Sequence, residues 1–236
     1  LEKGLALCTE ACRFSEEAGN VYSLAIAEGC LTLLLLAKGD GKGSMVHVQK
    51  CTRACEQGQL ASILWACPAC QGWAHYLLGE LDAARQHFQK RLETYRTTQY
   101  PFLVSLTYCG LGLVCLDSGD VEAARSHIEE SLKLAKKQGE RDQEGRSTVA
   151  LGKVLGKADT SQSAEAEGLI LEGINALEEL KLKTYQAEGY LCLGELYADA
   201  GQKEKALRTL AKAGGMFREM GMDHFLARTD MAVEKL

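Results

Sequence analysis

At 236 residues, 46% hydrophobic and 25% charged, the chain has an ordinary globular composition and length for one domain or two. A formal net charge of -5, a pI near 5.6 and the lack of any basic run argue against nucleic acid as a partner. The longest apolar stretch, 31–37, is too short to cross a bilayer, so no membrane partner is expected.

Only 2 prolines stand against 24 glycines, which permits long helices with turns resting on glycine. Residues 2–18 read as the second helix of a hairpin that lacks its first, so more repeats or another domain are expected before Leu1. Hairpins follow at about 21–57, 60–97, 101–138, 141–181 and 184–220, and Asp223 caps a last helix at 224–235. Together these make one solenoid domain over 1–236, within a longer protein.

The division rests on internal repetition. Gly39, Gly79 and Gly119 lie 40 residues apart, and Gly201 follows after two more repeats with two residues inserted near 159–162. Seven residues before the later markers stand Gly72, Gly112 and Gly194, and five after them stand Ala84, Ala124 and Ala206; Gly152 fills the gap. A turn glycine closes a helix at left-handed angles, and Asp40 or Asp120 directly after it caps the next. The glycines and alanines between let two antiparallel backbones approach closely. Apolar residues recur at threes and fours, as in Leu106, Cys109, Leu113 and Leu116, then Ile128, Leu132 and Ala135.

Leu111-Gly112, Cys115, Gly119-Asp120, Ala124 and Ile128 resemble the tetratricopeptide repeat (TPR), and Leu193-Gly194, Tyr197, Gly201, Ala206 and Leu210 match it better. The resemblance implies an all-α fold, a right-handed α-solenoid of antiparallel helical hairpins. The period of about 40 exceeds the family's 34, and the usual closing proline is absent. Met216 to Asp223, with Leu226-Ala227-Arg228, is similar to the end of large bacterial signalling proteins. There a repeat region follows a P-loop ATPase, sometimes with a nucleotide-cyclase or DNA-binding domain, and the maltose-type transcription activators share that general plan.

In the TPR family the first helix of each hairpin lines a concave groove, one, four and five residues after the packing glycine. Carried onto this chain, the groove residues are Leu33, Leu36, Trp73, Tyr76, Leu77, Leu113, Leu116, Lys153, Lys157, Glu195 and Asp199. The groove is then apolar first, basic in the middle and acidic at the end. Trp73 is either an exposed hot-spot residue or buried between hairpins, and Arg146, Lys153 and Lys157 either meet an anionic group or form a solvated face. The chaperone-type carboxylate clamp is not expected, since Asn20 and Asn175 are the only asparagines.

Other chemistry is sparse. Cys51, Cys55, Cys67 and Cys70 have a C-x3-C…C-x2-C spacing, which a thiolate metal site would use, but helix register sets Cys55 away from the others. Small core residues are the simpler reading, and no metal or other cofactor is expected. Pro68 should kink a helix at 62–78. His87 and His127 hold equivalent repeat positions, and no nucleophile elbow or phosphate loop occurs.

The 10 cysteines fit free thiols in a reducing cytoplasm. The function expected is a non-catalytic, protein- or peptide-binding scaffold using the groove. The alternative is a ligand-sensing regulatory domain, binding a small molecule, in a larger signalling ATPase, cyclase or transcription activator. Oligomeric state stays open.

Overall fold

The computed structural model describes the backbone of residues 1–236 and every side chain except that of Thr160. Among the described residues all regular structure is helical. The helices are α1 (Glu2–Glu17), α2 (Val21–Lys38), α3 (Gly41–Gly58), α4 (Ala61–Leu64), α5 (Cys67–Leu77), α6 (Leu81–Thr98) and α7 (Val104–Asp117). Then come α8 (Val121–Gln138), α9 (Arg141–Ala158), α10 (Ser163–Glu179), α11 (Lys183–Asp199), α12 (Lys203–Glu219) and α13 (Asp223–Glu234). A 3-10 turn, Thr160–Gln162, lies where the two-residue insertion is expected.

The turns follow from local chemistry. Gly39 and Gly119 both take φ of 84°, where a Cβ would be strained. The Asp40 carboxylate then accepts the Gly43 N–H at 2.8 Å, and Asp120 accepts that of Ala123 at 3.1 Å, which starts α3 and α8.

Two compact units divide the chain at a point inside α7: Leu1–Gly110 and Leu111–Leu236. In the first unit α1 packs on α2, α2 on α3, α3 on α5 and α5 on α6. Phe88 of α6 is fully buried where two glycines admit it. A Cβ on Gly72 would lie 2.5 Å from its ring, and one on Gly110 2.4 Å. Helix α2, 18 residues of mean hydropathy 1.6, is long and apolar enough to cross a membrane by length and composition. It nonetheless carries Glu28, fully buried and 2.6 Å from His47 Nδ1. That pairing, and its packing on α1, α3 and α5, tie it into the first unit, with 28% of the segment buried.

One expectation is corrected here. No single helix covers 62–78: α4 ends at Leu64, and α5 starts at Cys67 with Pro68 in its first turn. There the missing N–H has no intrahelical partner to lose and the fixed φ suits the helix start, so the proline opens a helix and does not kink one.

In the second unit α8 packs on α9, α9 on α10, α10 on α11, α11 on α12, and α12 on α13. The first helices of successive hairpins also touch, α9 against α11 and α11 against α13. Val149, Ile170, Ile174, Leu177, Leu193 and Leu196 form its core. Gly112, Gly152 and Gly194 face Ile128, Ile170 and Leu210 respectively, with room for no larger residue.

Candidate binding faces

The residues expected in the groove divide between the units. In the second unit, helical spacing puts Arg146, Lys153 and Lys157 on one stripe of α9 and Glu188, Glu195 and Asp199 on one stripe of α11. Each acid follows its base by 42 residues, one repeat of 40 plus the insertion. Because α9 and α11 lie side by side, the two stripes meet. Lys153 Nζ is 3.7 Å from Glu195, and Lys157 Nζ is 2.5 Å from Asp199. Helix α13 adds Arg228, whose guanidinium donates to Glu195 at 3.1 Å. The Arg146 guanidinium lies 4.1 Å from the Tyr185 ring centroid and donates to Gln143 Oε1 at 3.2 Å. The expected change from basic to acidic is therefore a set of opposed charges, not two separate zones.

Electrostatics vary along this set. Burial works against the Lys153 charge, its side chain being only 12% exposed, but Glu195, Cys192 and Asp117 together outweigh it and hold its pKa above the ordinary value. Glu195, which burial would raise, is instead held below the carboxylate range by Lys153 and Arg228. Glu188 behaves differently: burial raises it to about 7 against the pull of Arg146, Arg228 and Lys153. Burial also lifts the Cys192 thiol to about 11, and burial together with Arg228 lowers His224. Lys157 and Asp199 stay about half exposed. They edge a cavity of about 380 Å³ closed by Arg228, Met231, Lys235 and Leu236.

Glu188 and Arg228 were missed by the family's groove rule. Glu188 had a readable signal, since it stands 42 residues after Arg146 as its two neighbours stand after their bases. Arg228 belongs to the last helix, which packs as the first helix of a further hairpin would. Leu113 is half-buried, and Leu116 is buried at 9% exposure, too covered to line a groove.

In the first unit the aromatic wall needs correction. Trp73 is 9% exposed, its indole N–H donates to the Leu106 carbonyl at 3.1 Å, and its ring meets Tyr76 and Phe88 edge-on. It is an internal strut and not an exposed hot spot, because the start of α7 covers it. Tyr76 and Leu77 are half-buried. Leu33 and Leu36 pack on the cysteine-rich core between α2, α3 and α5. Leu33 also lines an apolar cavity of about 260 Å³ with Ile26, Cys67, Tyr100, Phe102 and Leu103. The loop forming one wall of that cavity is held by Arg91, fully buried, whose Nη2 donates to the carbonyls of Tyr100 at 2.8 Å and Phe102 at 2.6 Å.

The cysteines are placed differently from the register argument. The sulfurs of Cys51, Cys55 and Cys67 all lie within 4.8 Å of one another, buried, and Cys70 is not among them. Cys51 and Cys67 are 3.9 Å apart. All ten cysteines are free thiols.

Models of the tetratricopeptide repeat match residues 106–138, and also 69–90 and 187–212. Among curated proteins none matches the chain. Several solved structures share the fold at low identity. BtubC from P. vanneervenii is 15% identical with a TM-score of 0.58, over 93% of this chain and 92% of that one. The Rap conjugation gene regulator of plasmid pLS20, in complex with the Phr* peptide, is 17% identical with a TM-score of 0.63, over 95% and 72%. A signal transduction ATPase with numerous domains and a tetratricopeptide repeat sensor, from Pyrococcus horikoshii, is 16% identical with a TM-score of 0.57, over 97% and 39%. The repeat models and the shared helical architecture agree: the chain is a tetratricopeptide-like repeat protein of the all-α solenoid class.

Proposed function

We propose that the chain is a non-catalytic scaffold that binds a protein or peptide, and that its contact face is the charged surface of α9, α11 and α13. The observation that carries this reading is the convergence of Lys153, Lys157, Glu195, Asp199 and Arg228 beside the cavity of the second unit. Side chains of both signs in one row offer donors and acceptors to an extended peptide backbone. The inner pair is desolvated and pre-positioned, while the exposed Lys157–Asp199 pair is worth little by itself and opens at little cost. Met231 supplies an exposed apolar contact at the same edge.

The likeness to a regulator solved with a bound peptide supports the reading at the level of the fold. A second reading, a ligand-sensing region within a longer regulator, draws on the same cavity and on the likeness to the ATPase with a repeat sensor. Ten free thiols fit work in a reducing cytoplasm.

The test is selection of random-sequence peptides displayed on phage against the folded chain. Enriched peptides should lose about tenfold or more in affinity, some 1.4 kcal/mol, on Lys157→Glu and on Met231→Glu. Both positions are exposed, and circular dichroism of the two variants checks that the fold is kept. Peptides that bind both variants as well as the parent, or no enrichment at all, would reject this face.

A further inference from the structure

The buried thiols of the first unit bring three sulfurs together. Cys51 and Cys55 are one turn apart on α3 and so present sulfur to the same side. Cys67 reaches them because the chain breaks after α4 and restarts at that residue. A thiolate site with metal–sulfur bonds of about 2.3 Å has sulfurs about 3.8 Å apart when tetrahedral and about 4.0 Å when trigonal. The Cys51–Cys67 separation of 3.9 Å lies between these, and the widest pair, within 4.8 Å, needs to close by up to about 1 Å.

The Cys51 S–H donates to the Ala25 carbonyl at 3.3 Å and the Cys67 S–H to that of Ile63 at 3.5 Å, contacts that metal–sulfur bonds would replace when the protons leave. Cys51 and Cys67 also line the apolar cavity, which gives an entry path and an open side. Soft thiolates select zinc or monovalent copper among common cations. Three thiolates around a divalent ion carry a net single negative charge, against two around a monovalent one, and burial favours the smaller charge.

We propose that Cys51, Cys55 and Cys67 form a three-thiolate site for a divalent cation of the zinc class, with its fourth coordination position facing the cavity. On binding, the three S–H bonds break, three protons leave to solvent and three metal–sulfur bonds form, with no change of oxidation state. The open position then takes water or a donor atom of a small ligand entering through the cavity. Cys70, buried nearby but outside the sulfur cluster, is not a ligand.

The experiment adds Co(II), then Zn(II), to the reduced, metal-free full chain. One equivalent of Co(II) should give thiolate-to-cobalt charge transfer and the strong visible bands of four-coordinate cobalt, and Zn(II) should abolish both. Cys67→Ser and Cys55→Ser should each weaken binding by more than the roughly hundredfold loss seen for outer-shell partners, whereas Cys70→Ser should leave it unchanged. Circular dichroism of the metal-free variants separates a lost ligand from a lost fold. A parent chain with no cobalt spectrum would overturn the proposal whatever the variants do. So would a spectrum that survives Cys67→Ser in a folded protein, or uptake of Cu(I) with none of Zn(II).

Discussion

Two glycines of the second unit should respond to the same substitution with opposite sign. At Gly152, in α9, an added Cβ would lie 2.8 Å from the Ala166 carbonyl oxygen and 2.7 Å from Ile170 Cγ1. Ordinary carbon contacts lie near 3.5–4.0 Å, so the methyl would sit roughly 1 Å inside its neighbours. The oxygen is backbone in α10 and moves only with that helix. Overpacking of this kind costs about 1–3 kcal/mol, while replacing Gly by Ala in a helix returns at most about 1 kcal/mol. Gly152→Ala should therefore destabilise by about 1–2 kcal/mol. Gly168, in α10, has nothing within 4 Å of its added Cβ, so Gly168→Ala keeps only the helix gain, about 0.5–1 kcal/mol. Urea unfolding followed by circular dichroism measures both. With a slope of about 2 kcal/mol per molar urea, the two midpoints should separate by about 1 M. A Gly152→Ala midpoint equal to or above the parent's would refute the close approach of α9 and α10 as the reason for glycine there.

Three further outcomes follow from the buried polar groups. His47→Ala removes the close partner of fully buried Glu28, leaving Lys50 at 3.7 Å; the cost should be about 3 kcal/mol in unfolding free energy, largely recovered in a Glu28→Leu/His47→Leu double variant. Glu188 has a pKa raised from 4.5 to about 7 in the fold, so the folded state binds the extra proton and stability falls as pH rises through that window. The unfolding midpoint of Glu188→Gln should therefore gain on the parent's between pH 5 and pH 8, and a constant difference would contradict the burial argument. Arg91→Met removes two charge-assisted hydrogen bonds to the Tyr100 and Phe102 carbonyls, each worth about 1.5–3 kcal/mol. Amide hydrogen exchange across 100–104 should rise by at least about tenfold, and protection equal to the parent's would show that the loop holds itself.

The packing positions were legible in the sequence because they depend on what is absent. Gly72, Gly112, Gly152 and Gly194 lack a Cβ, and in each case the structure places the side chain of the following helix there: Phe88, Ile128, Ile170 and Leu210. What a side chain meets from beyond its own hairpin was harder to read. Trp73 stands at a groove position by register, yet the start of α7, more than thirty residues on, supplies both its hydrogen-bond acceptor and its cover. One continuous helix would set Cys55 away from Cys67, and the break of two residues before Cys67 brings their sulfurs together. The charged face lay between these cases. Helix register gives the stripes on α9 and α11, and neighbouring first helices lie side by side, so residues 42 apart had to be opposite one another. All three such pairs, Arg146 with Glu188, Lys153 with Glu195 and Lys157 with Asp199, join a base to an acid. A face selected only for solubility has no reason to keep opposite signs in register through a two-residue insertion. Attraction between adjacent hairpins supplies such a reason, and a partner that reads both signs along one row supplies another. Peptide selection against Lys157→Glu decides whether the second operates.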